Sequence, residues 1–276
     1  SVCLAANALR AATGGRDAHD ALDRIESGSA VGTLVVGDAI RARRDGMERV
    51  LDGEAPRVVD GHSADFLVVA ASVGDEGLYV VDAAAAGVAR RKLPTLDETR
   101  SLATVNLRGV RVPVPNRVGE GSAVQHALHR AAVALAAESL GGAERCLEAA
   151  TDYAKTRVQF GRPIGSFQAI KHRLADMLVA VETARSAVLW AAHVADSDDL
   201  DELAVAAPLA KSYATEAFFR CAADSLQVHG GIGFTWEHEV HLFLKRARAS
   251  LSLLGTPSAD RESIARLVVD TEAAWT

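Results

Sequence analysis

The texture of this chain changes near residue 120, and that change restricts the folds open to it. From about Val31 to Pro115 the sequence is rich in valine and glycine, in short apolar runs. Gly32-Thr-Leu-Val-Val-Gly37, Phe66-Leu-Val-Val-Ala-Ala71 and Gly77-Leu-Tyr-Val-Val-Asp82 read as strands separated by glycine, aspartate and serine. Leu107-Arg-Gly-Val-Arg-Val-Pro113 alternates and reads as a last strand. Short strands at regular spacing predict a small β-sandwich or barrel. From about Ser122 the period becomes helical, with Leu128, Ala132, Leu135 and Ser139 on one face. That helix is expected to run to Arg157, where Phe160-Gly-Arg-Pro163 breaks it. Ser166 is the expected cap of a second helix, from about Phe167 to Ala195. A third is expected from about Glu202 to Val228, ended by Gly230-Gly-Ile-Gly233, with two shorter helices after it.

The fold class is therefore α+β: a β-domain over 29–118, then an antiparallel bundle of four or five helices over 119–276. Residues 1–28 read as the tail of a helical segment. The chain lacks an initiator methionine and begins as if already inside a helix, so residues before Ser1 are expected to have been removed, disordered or never present.

Composition narrows the function. Hydrophobic residues make up 49% and charged residues 24%, enough to bury a sizeable core. With a net charge of -6 and scattered lysines and arginines, nucleic acid is not the expected partner. Cys3, Cys146 and Cys221 show no metal-ligand spacing and read as buried, reduced thiols of a cytoplasmic protein. No apolar run reaches the roughly 20 residues of a membrane span, and no secretory signal is visible. The acidic stretch from Asp196 to Glu202 reads as a solvated loop whose carboxylates favour the next helix N-terminus. His238 and His241, three apart, could bind a metal only with a third ligand that the sequence does not offer; they read as surface or interface histidines.

Two segments carry chemistry. Around Arg157-Val-Gln-Phe-Gly161 and Ser166-Phe-Gln168, a guanidinium, two amides and free helix N–H groups gather at one corner, with the Phe160 ring beside them. Such a corner suits a pyrophosphate or adenylate, or is simply a capped helix–helix turn. The glycines of Gln227-Val-His-Gly-Gly-Ile-Gly233 let backbone approach a ligand closely, or merely end a helix.

Together the segments resemble a known family. Tyr153-Ala-Lys-Thr-Arg-Val-Gln-Phe-Gly-Arg-Pro-Ile-Gly-Ser-Phe-Gln-Ala-Ile-Lys-His-Arg-Leu-Ala-Asp-Met177 resembles the flavin-contacting segment of acyl-CoA dehydrogenases. Gln227-Val-His-Gly-Gly-Ile-Gly-Phe-Thr-Trp-Glu237 resembles their second flavin signature. The likeness covers residues 27–270, more strongly in the helical part. It implies a helical domain, a middle β-domain and a C-terminal four-helix bundle, of which this chain keeps the last two and a stub of the first. It implies that Arg157, Gln159, Phe160, Phe167 and Gln168 hold the adenylate half of FAD, with Gln227, Val228, Gly230 and Gly231 as a second set. In the family these residues largely serve the flavin of a neighbouring subunit.

The resemblance also exposes losses. The family reaction is α,β-dehydrogenation of an acyl-CoA thioester, in which a glutamate removes the α-proton and the flavin takes the β-hydride. The base position before the Gly-Thr pair is Leu254, and the alternative one on the first bundle helix is Ala131, with Ala132 where a thioester-side arginine would stand. Neither Leu254 nor Ala131 can accept a proton. His129 and Arg130 would need a register shift to serve, and Glu138 is the remaining candidate for a relocated base. Val35-Val-Gly-Asp-Ala-Ile-Arg41 stands where the flavin-ring loop is expected, and Arg57-Val-Val59 where an aromatic motif covers the ring. The expectation is the non-catalytic subunit of an α2β2 heterotetramer that completes a partner's FAD site. The rivals are a homotetramer using Glu138 and a flavin-free scaffold. Heteromeric dehydrogenases of this kind are associated with steroid breakdown in actinobacteria. The Ala- and Arg-rich composition suits a high-GC bacterium, so steroid-CoA thioesters are the implied substrate class.

Overall fold

An unbroken apolar run such as Phe66–Ala71 is stable as a strand only if both its faces are covered. In the computed structural model, which describes residues 1–12, 15–37, 40–197 and 199–269, that condition is met. The chain forms two compact units, Ser1–Ala131 and Ala132–Thr276.

The first unit opens with helices α1 (Val2–Ala11) and α2 (Gly15–Glu26). Strands follow as β1 (Gly32–Val36), β2 (Arg41–Asp45), β3 (Glu48–Val59), β4 (Phe66–Ala71), β5 (Val73–Gly74), β6 (Gly77–Asp82), β7 (Val88–Lys92), β8 (Leu102–Pro113) and β9 (Arg117–Gly119). They make a mixed four-stranded sheet, β1-β4-β6-β9, and a five-stranded sheet, β5-β2-β3-β8-β7. The period-2 alternation of β4 divides its side chains between two cores. Leu67, Val69 and Ala71 share one with Leu51, Val105 and Val110 of the other sheet. Phe66, Val68 and Ala70 share the other with Ala5 and Leu9 of α1, Ala21 and Ile25 of α2, and Ala123 and Ala127.

Five strands of this unit, β2, β3, β5, β7 and β9, carry no clear strand signal in the sequence, and β8 starts at Leu102 rather than Leu107. The strand β2 reads Arg-Ala-Arg-Arg-Asp, with only Ala42 buried, so it carries almost no apolar signal. In β3, Gly53 and Pro56 mask the alternation; the ladder to β8 absorbs them in register shifts between Leu51 and Gly53 and between Ala55 and Val58. Likewise β7 presents mostly charged, exposed side chains.

The second unit is helical. Helix α3 (Ser122–Thr156) begins in the first unit and continues into the second. A hairpin of β10 (Val158–Gln159) and β11 (Arg162–Pro163) leads to α4 (Gln168–Asp196), α5 (Leu200–His229), α6 (Val240–Ser250) and α7 (Pro257–Val268). Small residues fill the core of this unit, among them Ala136, Ala143, Ala184, Ala191 and Ala214, with Met177 and Phe218 as the larger pieces. Alanine at these positions both favours helix and lets helices approach closely.

Ser166 does not cap α4. It sits in a 3-10 turn, Ile164–Ser166, its hydroxyl makes no hydrogen bond among the described residues, and Phe167 occupies the cap position. The hairpin spends its exit on that turn, so the helix begins one residue later than a serine cap would place it. Asp199 does cap α5, accepting from the Glu202 amide at 2.9 Å, and so anchors the acidic stretch; Asp198 lies outside the described residues. Over an 18-residue window α4 is long and apolar enough for a membrane span by length and composition alone, but its Met177, Val181 and Val188 lie in the bundle core. Cys3 is exposed, whereas Cys146 and Cys221 are buried. Of the flavin-ring stretch, residues 38–39 lie outside the described residues.

Candidate functional site

The end of α3 and the start of α4 are joined by a two-residue turn, Phe160-Gly161, between Gln159 and Arg162. Both turn residues have positive φ, 55° and 74°, the geometry that suits the twist of a tight hairpin. Glycine adopts it freely; phenylalanine does so at a cost of about 1–2 kcal/mol. The result is a phenylalanine 89% exposed at the tip of the hairpin. Phe160 meets Phe167 edge-on at 6.0 Å, and the Arg162 guanidinium lies 4.1 Å from the Phe167 ring centroid. Gln159 turns its amide back onto the Val158 carbonyl at 2.9 Å. Arg157 is exposed, and its guanidinium makes no ion pair or hydrogen bond among the described residues. Gln168 is exposed in the first turn of α4. An exposed cation and an exposed ring thus stand at the hairpin that leads into α4, groups that suit an anionic ligand that also carries an aromatic group.

The second segment ends α5. Gly230 holds φ 64° and ψ −140°, and its amide closes onto the Gln227 and Leu226 carbonyls. A Cβ at Gly230 or Gly231 would meet nothing within 4 Å, so the loop borders open space. Gln227 is exposed, while Val228 is 5% exposed and packs in the bundle core. The segments are linked by rings: Tyr153, one turn before Arg157, stacks on His229, the residue before Gly230, at 4.4 Å. Beside them a cavity of about 720 Å³ is lined by Asp152, Tyr153, His229, Trp236, His238 and His241, among others. Among the described residues no three His, Cys, Asp or Glu side chains form a metal-ligand set.

The base positions hold no carboxylate. Ala131 is buried. Leu254 is half-buried in a turn at φ 58°. A group that the sequence motifs do not single out fixes that turn. Lys211, only 2% exposed, donates to the Leu254 and Gly255 carbonyls at 2.9 Å each, and its Nζ lies 2.9 Å from Asp260 Oδ2. Burial depresses the Lys211 pKa and raises that of Asp260, and their pairing opposes both shifts. The only hint in the sequence was a lysine set between Ala210 and Ala214. Glu138 pairs with Arg246 Nε at 2.8 Å. Arg130 donates from Nε to His126 Nε2 at 2.8 Å, and burial, then His126, depresses the His129 pKa. Arg57 is exposed at φ 61° and is followed by buried Val58 and Val59.

Residues 119–269 match the profile of the acyl-CoA dehydrogenase C-terminal domain. The chain belongs to the acyl-CoA dehydrogenase family. It is 39% identical over 247 residues to acyl-CoA dehydrogenase IpdE2 of Mycobacterium tuberculosis, covering 90% of this chain and 64% of that protein. The chain thus spans less than two thirds of this relative. The ChsE4-ChsE5 complex of the same organism contains a chain with TM-score 0.90 and 30% identity, over 97% of this chain and 74% of that one. A variant of the Tcur3481-Tcur3483 steroid ACAD gives TM-score 0.88 and 30% identity over 98% and 75%. The family is flavin-dependent, with FAD its usual cofactor. In this chain Arg157 and the Gly230 loop are open to solvent, while Leu254 and Ala131 carry no ionisable group.

Proposed function

We propose that this chain is the non-catalytic subunit of a cytoplasmic α2β2 acyl-CoA dehydrogenase, and that it grips the adenylate side of an FAD seated in its catalytic partner. One asymmetry carries the reading. Arg157, Phe160 and the open space at Gly230 and Gly231 suit an anionic adenylate, whereas Leu254 occupies a well-anchored turn without a carboxylate. Loss of function by drift has no reason to spare one half of a cofactor site.

In this arrangement Arg157 supplies charge-assisted hydrogen bonds to phosphate oxygens. Phe160 and Phe167 offer apolar faces to the adenine. Gln159 and Gln168 donate amide hydrogens, while Gln227, Val228, Gly230 and Gly231 form the second wall, Val228 through its backbone. The flavin, when bound, accepts the hydride; the partner supplies the glutamate and most of the acyl-CoA pocket. The likeness to the ChsE4-ChsE5 complex and to a steroid ACAD supports a heteromeric assembly acting on steroid side-chain CoA esters.

The test is to purify the chain with its partner subunit and count flavin. One FAD per two chains is expected. Arg157→Ala should weaken flavin retention roughly 10- to 150-fold, the worth of a lost hydrogen bond to a charged group of about 1.5–3 kcal/mol. A homo-oligomer of this chain alone that bound one FAD per chain and oxidised an acyl-CoA would refute the reading.

A further inference from the structure

We propose that the ring column Tyr153–His229–His238 holds the two walls of the adenylate corner in register, with His229 as its central positioning residue. The proposal rests on the FAD reading above and adds the device that maintains the site.

The geometry joins three chain segments. The Arg157 amide donates to the Tyr153 carbonyl at 2.8 Å, so the two residues are one helical turn apart, about 6 Å along the axis. Tyr153 and His229 stack with an interplanar angle of 28°. His229 also meets the His238 ring, at 4.5 Å and 52°. His238 in turn accepts the Val240 amide at Nδ1, 3.2 Å away, at the head of α6. The ends of α3 and α5 and the start of α6 are thus tied through three rings, beside the positions where Arg157 and Gly230 leave their helices.

His229 is 4% exposed, and its Nδ1 lies 2.7 Å from the Ser225 carbonyl. A carbonyl can only accept, so Nδ1 carries the proton, and the neutral ring keeps a lone pair on Nε2. Burial makes a second proton unfavourable; the Ser225 bond works against that effect and the neighbouring His238 adds to it. Other charged groups share the cavity: Arg145 and Asp152 from α3, and Glu237, Glu239 and His241 around α6. Arg145 is drawn to Glu239 at 3.5 Å and to Glu148 at 3.7 Å. No ion pair to His229 offsets its charge among the described residues. A protonated His229 is therefore desolvated and faces His238, and the column opens.

The sign follows from linkage. A histidine whose folded pKa lies below its ordinary value of about 6.5 takes its proton first in the opened or unfolded form. The column is complete above about pH 6.5 and is lost as pH falls through the folded value.

The experiment uses the complex with its partner subunit and compares wild type, His229→Phe and His229→Ala from pH 5 to pH 8. Flavin release by fluorescence and amide hydrogen exchange over residues 230–233 are both read. Wild type should lose flavin and gain exchange on acidification. His229→Phe keeps a ring without a titrating group, so its profile should be flat over that range. At pH 7, His229→Ala should show exchange faster by roughly three- to tenfold, as expected for a lost ring pair, and weaker flavin retention. The proposal is overturned if His229→Phe shows the same acid loss as wild type, or if His229→Ala matches wild type in both readouts. If the complex bound no FAD at any pH, the FAD reading would fail. Exchange at 230–233 would still decide the column on its own.

Discussion

The Lys211–Asp260 pair gives a sharp test of how the turn at Leu254 is held. Lys211→Met keeps the aliphatic stem and removes the ammonium. It leaves Asp260 buried without its cation and takes the donor from the Leu254 and Gly255 carbonyls. Removing one member of a buried pair costs about 3–5 kcal/mol. Asp260 can escape part of that by taking up a proton, because burial already raises its pKa. We therefore expect the low end, about 3 kcal/mol, or roughly 6–12 °C in Tm for a chain of this size. Asp260→Ala strands the ammonium instead and should cost at least as much. The double variant Lys211→Met/Asp260→Leu should cost only about 2 kcal/mol, mainly for two carbonyls left without donors. The single costs should therefore be non-additive by about 2 kcal/mol or more. Urea unfolding followed by tryptophan fluorescence reads the correct unit, because Trp190, Trp236 and Trp275 all lie after residue 131. A Lys211→Met variant within 1 kcal/mol of wild type, or an additive cycle, would refute the assignment of Lys211 as the clamp.

Three further outcomes are expected. Phe160→Asn places a residue tolerant of positive φ in the hairpin, so it should raise stability by up to about 1 kcal/mol while lowering flavin retention in the complex; unchanged retention would remove Phe160 from the site. Glu138→Gln should leave the reductive half-reaction of the assembled enzyme intact, since Glu138 is engaged with Arg246; loss of flavin reduction with flavin retained would revive it as a base. In a thiol titration at pH 8, Cys3 should react at once. Cys146 and Cys221, their pKa values pushed up to about 12 by burial, should react only in denaturant; two or more fast thiols would contradict their burial.

Some of this was legible without coordinates. The strands at Phe66–Ala71 and Gly77–Asp82 match the sequence reading residue for residue, because both are apolar runs bounded by polar or glycine breaks. The first strand and the long bundle helices differ from it only at their ends. The arginine-rich β2 and the bulged β3 were not legible, because one buried face and a register shift leave no clean period. Ser166 satisfied the rule for a cap, yet the hairpin before it placed Phe167 there instead.

The family, through Tyr153–Gln168 and Gln227–Gly233, and the lack of a carboxylate at Leu254 and Ala131 can be read from residue identities alone, which need no coordinates. Packing, by contrast, left Arg157 exposed, held Phe160 outward at positive φ and turned Val228 inward. It alone brought Tyr153 onto His229, 76 positions further along the chain (229 − 153), and Lys211 onto Asp260. Contacts of that span arise when helices pack, and helical periodicity specifies which face is buried without saying which residue of another helix it will meet.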